Sequence, residues 1–339
     1  MLGRLRANPL IRAVLLAAAL AFCAFGLANE SHHVVAALRD LHWYSVLAAF
    51  AAAVVGTCCM MLAWRAILAD LGSRLRFPAA ARVSFISQIG KYLPGTVWAF
   101  AAQIDLGRDH QVPVRRSATA IAISLAVTLE TGLIVGTIAL PLASANAARH
   151  YWWLLALTPL IALCLLPPVL GSTLDRALAL AKRQPLERRP SMAGLLTAVG
   201  WSAVGWLLWG LHAWLLIASL SNRGTSALLL GLGSYALAWS VGIVVVVFPG
   251  GIGPRDLAFV AALAPVMPRG AALVVALTSR VVMTTSDVAL AGLGVAISRL
   301  VKHSRAPATD SRRLTGKHRK IALEHASSAP GKATSATYY

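Results

Sequence analysis

Six charged residues lie in apolar sequence. Glu130 sits in the middle of the run 117–141, and Arg280 and Asp287 lie inside the run 270–298. Lys91 precedes the interruption Tyr92-Leu93-Pro94-Gly95. Arg255 and Asp256 follow a second one, Phe248-Pro249-Gly250-Gly251-Ile252-Gly253-Pro254. A charge at the centre of a bilayer costs at least about 2.5–3.5 kcal/mol, so such residues pair with one another or line a cavity. Arg280, Thr284 and Asp287 fall at i, i+4 and i+7, on one helical face. Seven residues is too far for ideal contact along one helix, which predicts partners for Arg280 and Asp287 on other helices. A structural ion-pair network and a binding site both account for this pair. Glu130 has no basic neighbour in its own run, which favours a function for it.

The two interruptions offer a second kind of chemistry. Proline removes a backbone donor and clashes with the preceding turn, and glycine weakens a helix further. Each interruption therefore predicts two half-helices meeting inside the membrane. A half-helix that starts there presents free N–H groups and the positive end of its dipole, which suits a phosphate. Glycine lets the backbone approach a ligand with no Cβ in the way. The candidate phosphate ligands are Lys91, Gly95 and Thr96 at the first break and Gly250, Gly251, Gly253 and Arg255 at the second. Glu130, Asp256, Arg280 and Asp287 are the candidates for cavity charge or coupling. His212, Trp201, Trp206, Trp209 and Trp214 read as packing residues in the run 195–219. His32, His33 and His42 lack ligand spacing, and the four cysteines lie in apolar runs without CxxC spacing. No metal, cofactor or catalytic motif is expected, so the chain is not expected to be an enzyme.

The elements that position these residues follow from composition. Of 339 residues, 58% are hydrophobic and 13% charged, against about 45–50% and about 25% in soluble domains. Several runs of about 20 residues carry one charge or none, enough for a helix to cross roughly 30 Å of hydrocarbon. This excludes a soluble enzyme, a secreted disulfide scaffold and a nucleic-acid-binding domain. The net charge of +19 reflects basic loops and a basic tail, hence topology and no nucleic acid partner. An all-α polytopic membrane protein is expected, with about six full spans near 13–28, 46–68, 117–141, 151–170, 195–219 and 270–298. The first is an anchor, with Gly26-Leu27-Ala28 as a tolerable cleavage site if it is a signal peptide.

Lys and Arg flank the first broken region, 79–104, on both sides and fill the loop 171–193. Loops 29–45, 142–150 and 220–226 hold one Arg each and no Lys. The positive-inside rule then puts both termini in the cytoplasm, with 79–104 dipping from inside and 227–267 from outside. The unit 46–141 reads span, dip, span, and 195–298 reads the same in the opposite sense. Two such units form an inverted repeat, an architecture of secondary transporters with the substrate between the repeats. Glu130 and Asp287 follow Pro94 and Pro249 at similar distances, which predicts that both face the central cavity. The remaining parts are an N-terminal anchor and external loop (1–45), a connecting span and basic loop (142–194), and a tail (299–339). The tail carries nine Lys/Arg against Asp310 and Glu324, a composition expected to be disordered and attracted to anionic lipid.

Gly90-Lys91-Tyr92-Leu93-Pro94-Gly95-Thr96-Val97-Trp98 resembles a signature of the lysylphosphatidylglycerol synthase transmembrane-region family, the flippase-like part of multiple peptide resistance factor proteins. Pro249 to Asp256 resembles its second signature, with Asp256 where Glu is common and Pro254 where an aliphatic residue is usual. Glu130 and the Arg280–Asp287 stretch are also similar to family positions, and the resemblance covers about residues 10–300. It implies movement of a phospholipid or lipid-linked head group between leaflets. The implied partners are membrane lipids: an anionic phospholipid, an aminoacyl-phospholipid or a polyprenyl-phosphate glycolipid. The alternative is an accessory protein that recruits a separate glycosyl- or aminoacyl-transferase, and a homo-oligomer stays open.

Overall fold

The computed structural model describes residues 41–92, 97–143, 145, 148–149, 152–180, 189–221, 226–244 and 253–305. The expected anchor at 13–28, most of the basic loop, most of the tail, and Gly95, Thr96, Gly250 and Gly251 lie outside these residues. The regular elements among the described residues are all helices, with no strand. Helix α1 runs Trp43–Asp70, α2 Phe77–Gln88, and a 3-10 turn Ile89–Tyr92 leads to the first break; α3 (Val97–Arg108) follows it. Then come α4 (Val114–Leu142), α5 (Leu154–Cys164), α6 (Pro167–Leu180), α7 (Met192–Ser219) and α8 (Ser226–Val244). The second break leads to α9 (Pro254–Leu263), and α10 runs Arg269–Arg305. The chain divides into a compact unit that ends at Val295 and a C-terminal unit that begins at Ala296.

Helices α1, α4, α7 and the Arg269–Arg299 part of α10 are long and apolar enough to cross a membrane. At about 1.5 Å per residue, the 28 residues of α1 reach about 42 Å. The run 151–170, expected as one span, is instead a pair of helices bent by 83° between Cys164 and Pro167. Pro167 and Pro168 explain the bend, because neither supplies an N–H to the preceding turn. The two ends of the first broken region meet: Arg82, early in α2, pairs with Asp109, just past α3, at 3.1 Å.

Close backbone approach organises the bundle. A Cβ on Gly231 of α8 would lie 2.6 Å from the backbone N of Trp214 and 2.9 Å from the carbonyl O of Gly210, both on α7. Small residues at such crossings let membrane helices gain dispersion contacts along their backbones. Inside, Trp206, Trp209, Tyr235 and Trp239 form an aromatic cluster, with Trp206 meeting Trp209 and Trp239 edge-on at 5.3 Å. Helix α7 is capped by Ser191, whose hydroxyl accepts from the N–H of Gly194 at 3.0 Å and donates to Asp70 of α1 at 2.6 Å. The N–H of Ser191 also reaches Asp70, at 2.7 Å. Ser191→Ala removes the cap and one of the two α1–α7 clasps, so a loss of about 1–2 kcal/mol is expected. A lowered melting temperature in detergent is the readout.

Candidate functional site

Four of the six intramembrane charges converge on one cavity of about 260 Å³: Lys91, Arg255, Arg280 and Asp287 line it. Each break contributes one of them. Lys91 belongs to the 3-10 turn before the first break, and Arg255 to the first turn of α9 after the second. The other two lie on α10, a continuous helix from Arg269 onward, with Thr284 between them on the same cavity-facing stripe. Trp209 and Trp239 form part of the apolar wall.

The face 280–284–287 of α10 ties both breaks down. Asp287 accepts Lys91 Nζ at 2.8 Å, and its side chain is only 1% exposed. The same Oδ2 accepts the Tyr92 hydroxyl at 2.5 Å. Arg280 grips Asp256 with two donors, Nε to Oδ1 at 2.9 Å and Nη2 to Oδ2 at 2.8 Å. Such a fork-to-fork pair fixes orientation as well as charge. One helix thus presents an acid to the base of the first break and a base to the acid of the second. Arg280 and Asp287 both pair across helices.

Arg255 differs from the other two cations. Its Nη2 donates to the Tyr235 hydroxyl at 2.5 Å, and its guanidinium lies 4.9 Å from the centre of the Tyr235 ring. Among the described residues no carboxylate accepts it. Three cations against Asp256 and Asp287 leave one positive charge in the cavity region.

The remaining expectations fare differently. Gly253 has φ 92°, a conformation that favours glycine, and its N–H donates to Asp256 Oδ2 at 3.2 Å. The N-terminus of α9 is thus met by its own acid, so the N–H of Gly253 is not free for a phosphate. Glu130 is not among the residues that line the cavity. It is half-buried on α4, with Oε2 buried and unpartnered, next to Thr131, whose hydroxyl bonds Ser202 of α7 at 2.8 Å. The two acids expected to face one cavity are therefore on different surfaces. His212 is fully buried, bonded to Ser279 at 2.9 Å and to the Trp209 carbonyl, as a packing histidine would be.

Sequence reasoning passed over Tyr92, Tyr235 and Trp209 as site residues. Tyr92 lies inside the first motif, which was a usable signal. Tyr235 sits in an apolar helix with nothing to mark it.

Gly90 lets the 3-10 turn lie against the start of α3. A Cβ there would lie 2.6 Å from the backbone N of Ala99 and 2.8 Å from the carbonyl carbon of Trp98. Neither backbone atom can move aside cheaply. Gly90→Ala is expected to displace the 3-10 turn together with Lys91, at a cost of about 1–3 kcal/mol. Thermal melting in detergent, compared with Gly200→Ala, where a Cβ meets nothing within 4 Å, isolates this effect.

Residues 10–291 match the family model described as lysylphosphatidylglycerol synthase TM region. The chain belongs to this family. No curated protein matches the chain. Membership accords with an integral membrane protein in a lipid-related setting. The matched range ends just past Asp287, so every charge that lines the cavity lies inside the family region.

Proposed function

We propose that the protein is a flippase-like transporter, and not an enzyme, that moves a phospholipid or lipid-linked head group between leaflets. The observation that carries this reading is Arg255, a cation in a membrane-embedded cavity with no carboxylate partner among the described residues. An unmatched positive charge in apolar surroundings is costly unless an anion visits it, and the anion a membrane supplies in quantity is a lipid phosphate. A cavity of about 260 Å³ lies below the roughly 300–1,000 Å³ typical of drug-sized ligands. It fits a head group, with the acyl chains left in the bilayer.

In this reading the units 46–141 and 195–298 are inverted repeats that rock about the site, in a plasma-membrane protein of six spans with both termini cytoplasmic. Two observations support that topology. Asp70 and Ser191 join the ends of α1 and α7 that it places in the cytoplasm. Trp43, Tyr44, Trp152 and Trp153 are exposed at the ends it places outside, where aromatic belts form. Glu130, away from the cavity, is left for coupling and not for head-group contact.

The test reconstitutes the full chain into vesicles with head-group-labelled lipids and follows label exposed to a membrane-impermeant quencher. Faster exposure of at least one lipid is expected. If folded protein exposes no lipid, the transport reading is lost and the accessory role, recruitment of a transferase, takes its place.

A further inference from the structure

We propose that Asp287 is a resident counter-ion that a lipid phosphate displaces from Lys91, so that Lys91 becomes a second phosphate ligand once Arg255 has bound the lipid. This rests on the transport reading above and adds to it a ligand that is held in reserve while the cavity is empty. Three observations carry it. The first is the unequal exposure of the two partners. Both line the cavity, but the Lys91 side chain is 34% exposed and that of Asp287 only 1%. An ammonium has three donors, and the 2.8 Å contact with Asp287 occupies one of them. An anion in the cavity therefore approaches Lys91 from its open side.

The second is the contrast between the two ion pairs on α10. Arg280 holds Asp256 through two nitrogens, and Asp256 Oδ2 also accepts the N–H of Gly253. An anion would have to break a planar fork and a helix cap to take Arg280. Lys91 meets Asp287 through one nitrogen at the end of a flexible four-carbon stem, so this is the pair that can be exchanged. The third is Tyr92. Its hydroxyl donates at 2.5 Å to the same Oδ2 that holds Lys91. A buried carboxylate stripped of its only counter-ion is costly, and the phenol stays on Oδ2 when the ammonium swings away. Arg255 sets the order of events. A trade of carboxylate for phosphate on Lys91 alone gains nothing. A phosphate already drawn in by Arg255, in a cavity of about 260 Å³, has been desolvated and lies close to Lys91. The group Arg255, Lys91 and Asp287 then passes from one net positive charge when empty to none when loaded.

The experiment measures binding separately from transport. The full chain in detergent is titrated with phosphatidylglycerol, and the rise of melting temperature with lipid concentration gives an apparent Kd. Asp287→Asn removes the competitor and is expected to tighten binding about tenfold, the effect of one hydrogen bond to a charged group. The lipid then returns part of the stability that this substitution takes away. Adding Lys91→Met is expected to abolish the gain. Tyr92→Phe removes the phenol from Asp287, which then holds Lys91 harder, so binding is expected to weaken about threefold. General loosening of the cluster would not move the two single variants in opposite directions, and Tyr92→Phe alone decides the matter if Asp287→Asn does not fold. One apparent Kd shared by the wild type and every variant overturns the exchange and leaves the transport reading intact. No shift by phosphatidylglycerol in any of them, wild type included, removes the phosphate site and the transport reading with it. Diacylglycerol and soluble glycerophosphoglycerol at the same concentrations are expected to give no shift. An equal shift from the first would overturn the phosphate as ligand, and from the second the lipid.

Discussion

Arg255→Gln is expected to leave a folded protein that no longer moves lipid. The variant takes away the cavity cation that has no acid partner among the described residues. With Lys91–Asp287 and Arg280–Asp256 intact, the cavity becomes neutral and has nothing to offer a phosphate. Loss of a hydrogen bond to a charged group weakens binding by about 1.5–3 kcal/mol, which is roughly ten- to a hundredfold. Loss of the unscreened charge in apolar surroundings adds to this. Stability should move the other way or not at all. An unpaired charge away from water opposes folding, and a neutral side chain relieves it. The Gln amide ends two atoms short of Nη2, so the hydrogen bond to the Tyr235 hydroxyl of α8 goes with the charge and offsets part of that relief. Melting temperature in detergent and lipid exposure in vesicles are measured on the same preparation. Unchanged stability with at least tenfold slower exposure is the expected pair of results. Arg255→Lys, which keeps the charge and loses the fork, should fall between. Wild-type rates in Arg255→Gln would mean the phosphate sits elsewhere.

The charges were the most legible part of the site, because their expense in an apolar run is visible without a structure. Lys91, Arg255, Arg280 and Asp287 were singled out on that ground and line one cavity. That Arg280 and Asp287 must look to other helices followed from their spacing. Which helices was not legible, since it depends on how the two breaks fold back against α10. Glu130 shows the limit of the repeat argument. Similar distances from Pro94 and Pro249 fix a similar depth, but not the direction a side chain faces. Leu125 of α4 lines the cavity, and five residues later the helix has turned by about 140°. Gly253 shows another limit: the motif promised a free helix N-terminus, and Asp256, three residues on, supplies its own cap. The long helices were readable from hydropathy. The 83° bend was written in Pro167-Pro168 and was hidden by an apolar run of span length.

Asp287→Asn is expected to cost about 3 kcal/mol, and adding Lys91→Met is expected to restore most of it. The single variant leaves the Lys91 ammonium without the carboxylate that meets it at 2.8 Å. Removing one member of a buried pair typically costs about 3–5 kcal/mol, because the survivor stays charged and uncompensated. The lower end applies here because Lys91 is one-third exposed and water reaches it in part. In the double variant no charge is stranded, and a similar apolar volume fills the turn before the first break. Replacement of a whole ion pair by neutral groups is often neutral in stability. The Tyr92 hydroxyl keeps an acceptor in the Asn carbonyl. The net charge also stays at one positive, carried by Arg255, so the double variant should still accept a lipid phosphate. A double-mutant cycle of melting temperatures measures the coupling directly. If the double variant melts as low as Asp287→Asn, the carboxylate acts through Tyr92 and not through Lys91. The first break would then be held by its phenol, and the charge balance drawn around Arg255 would have to be recounted.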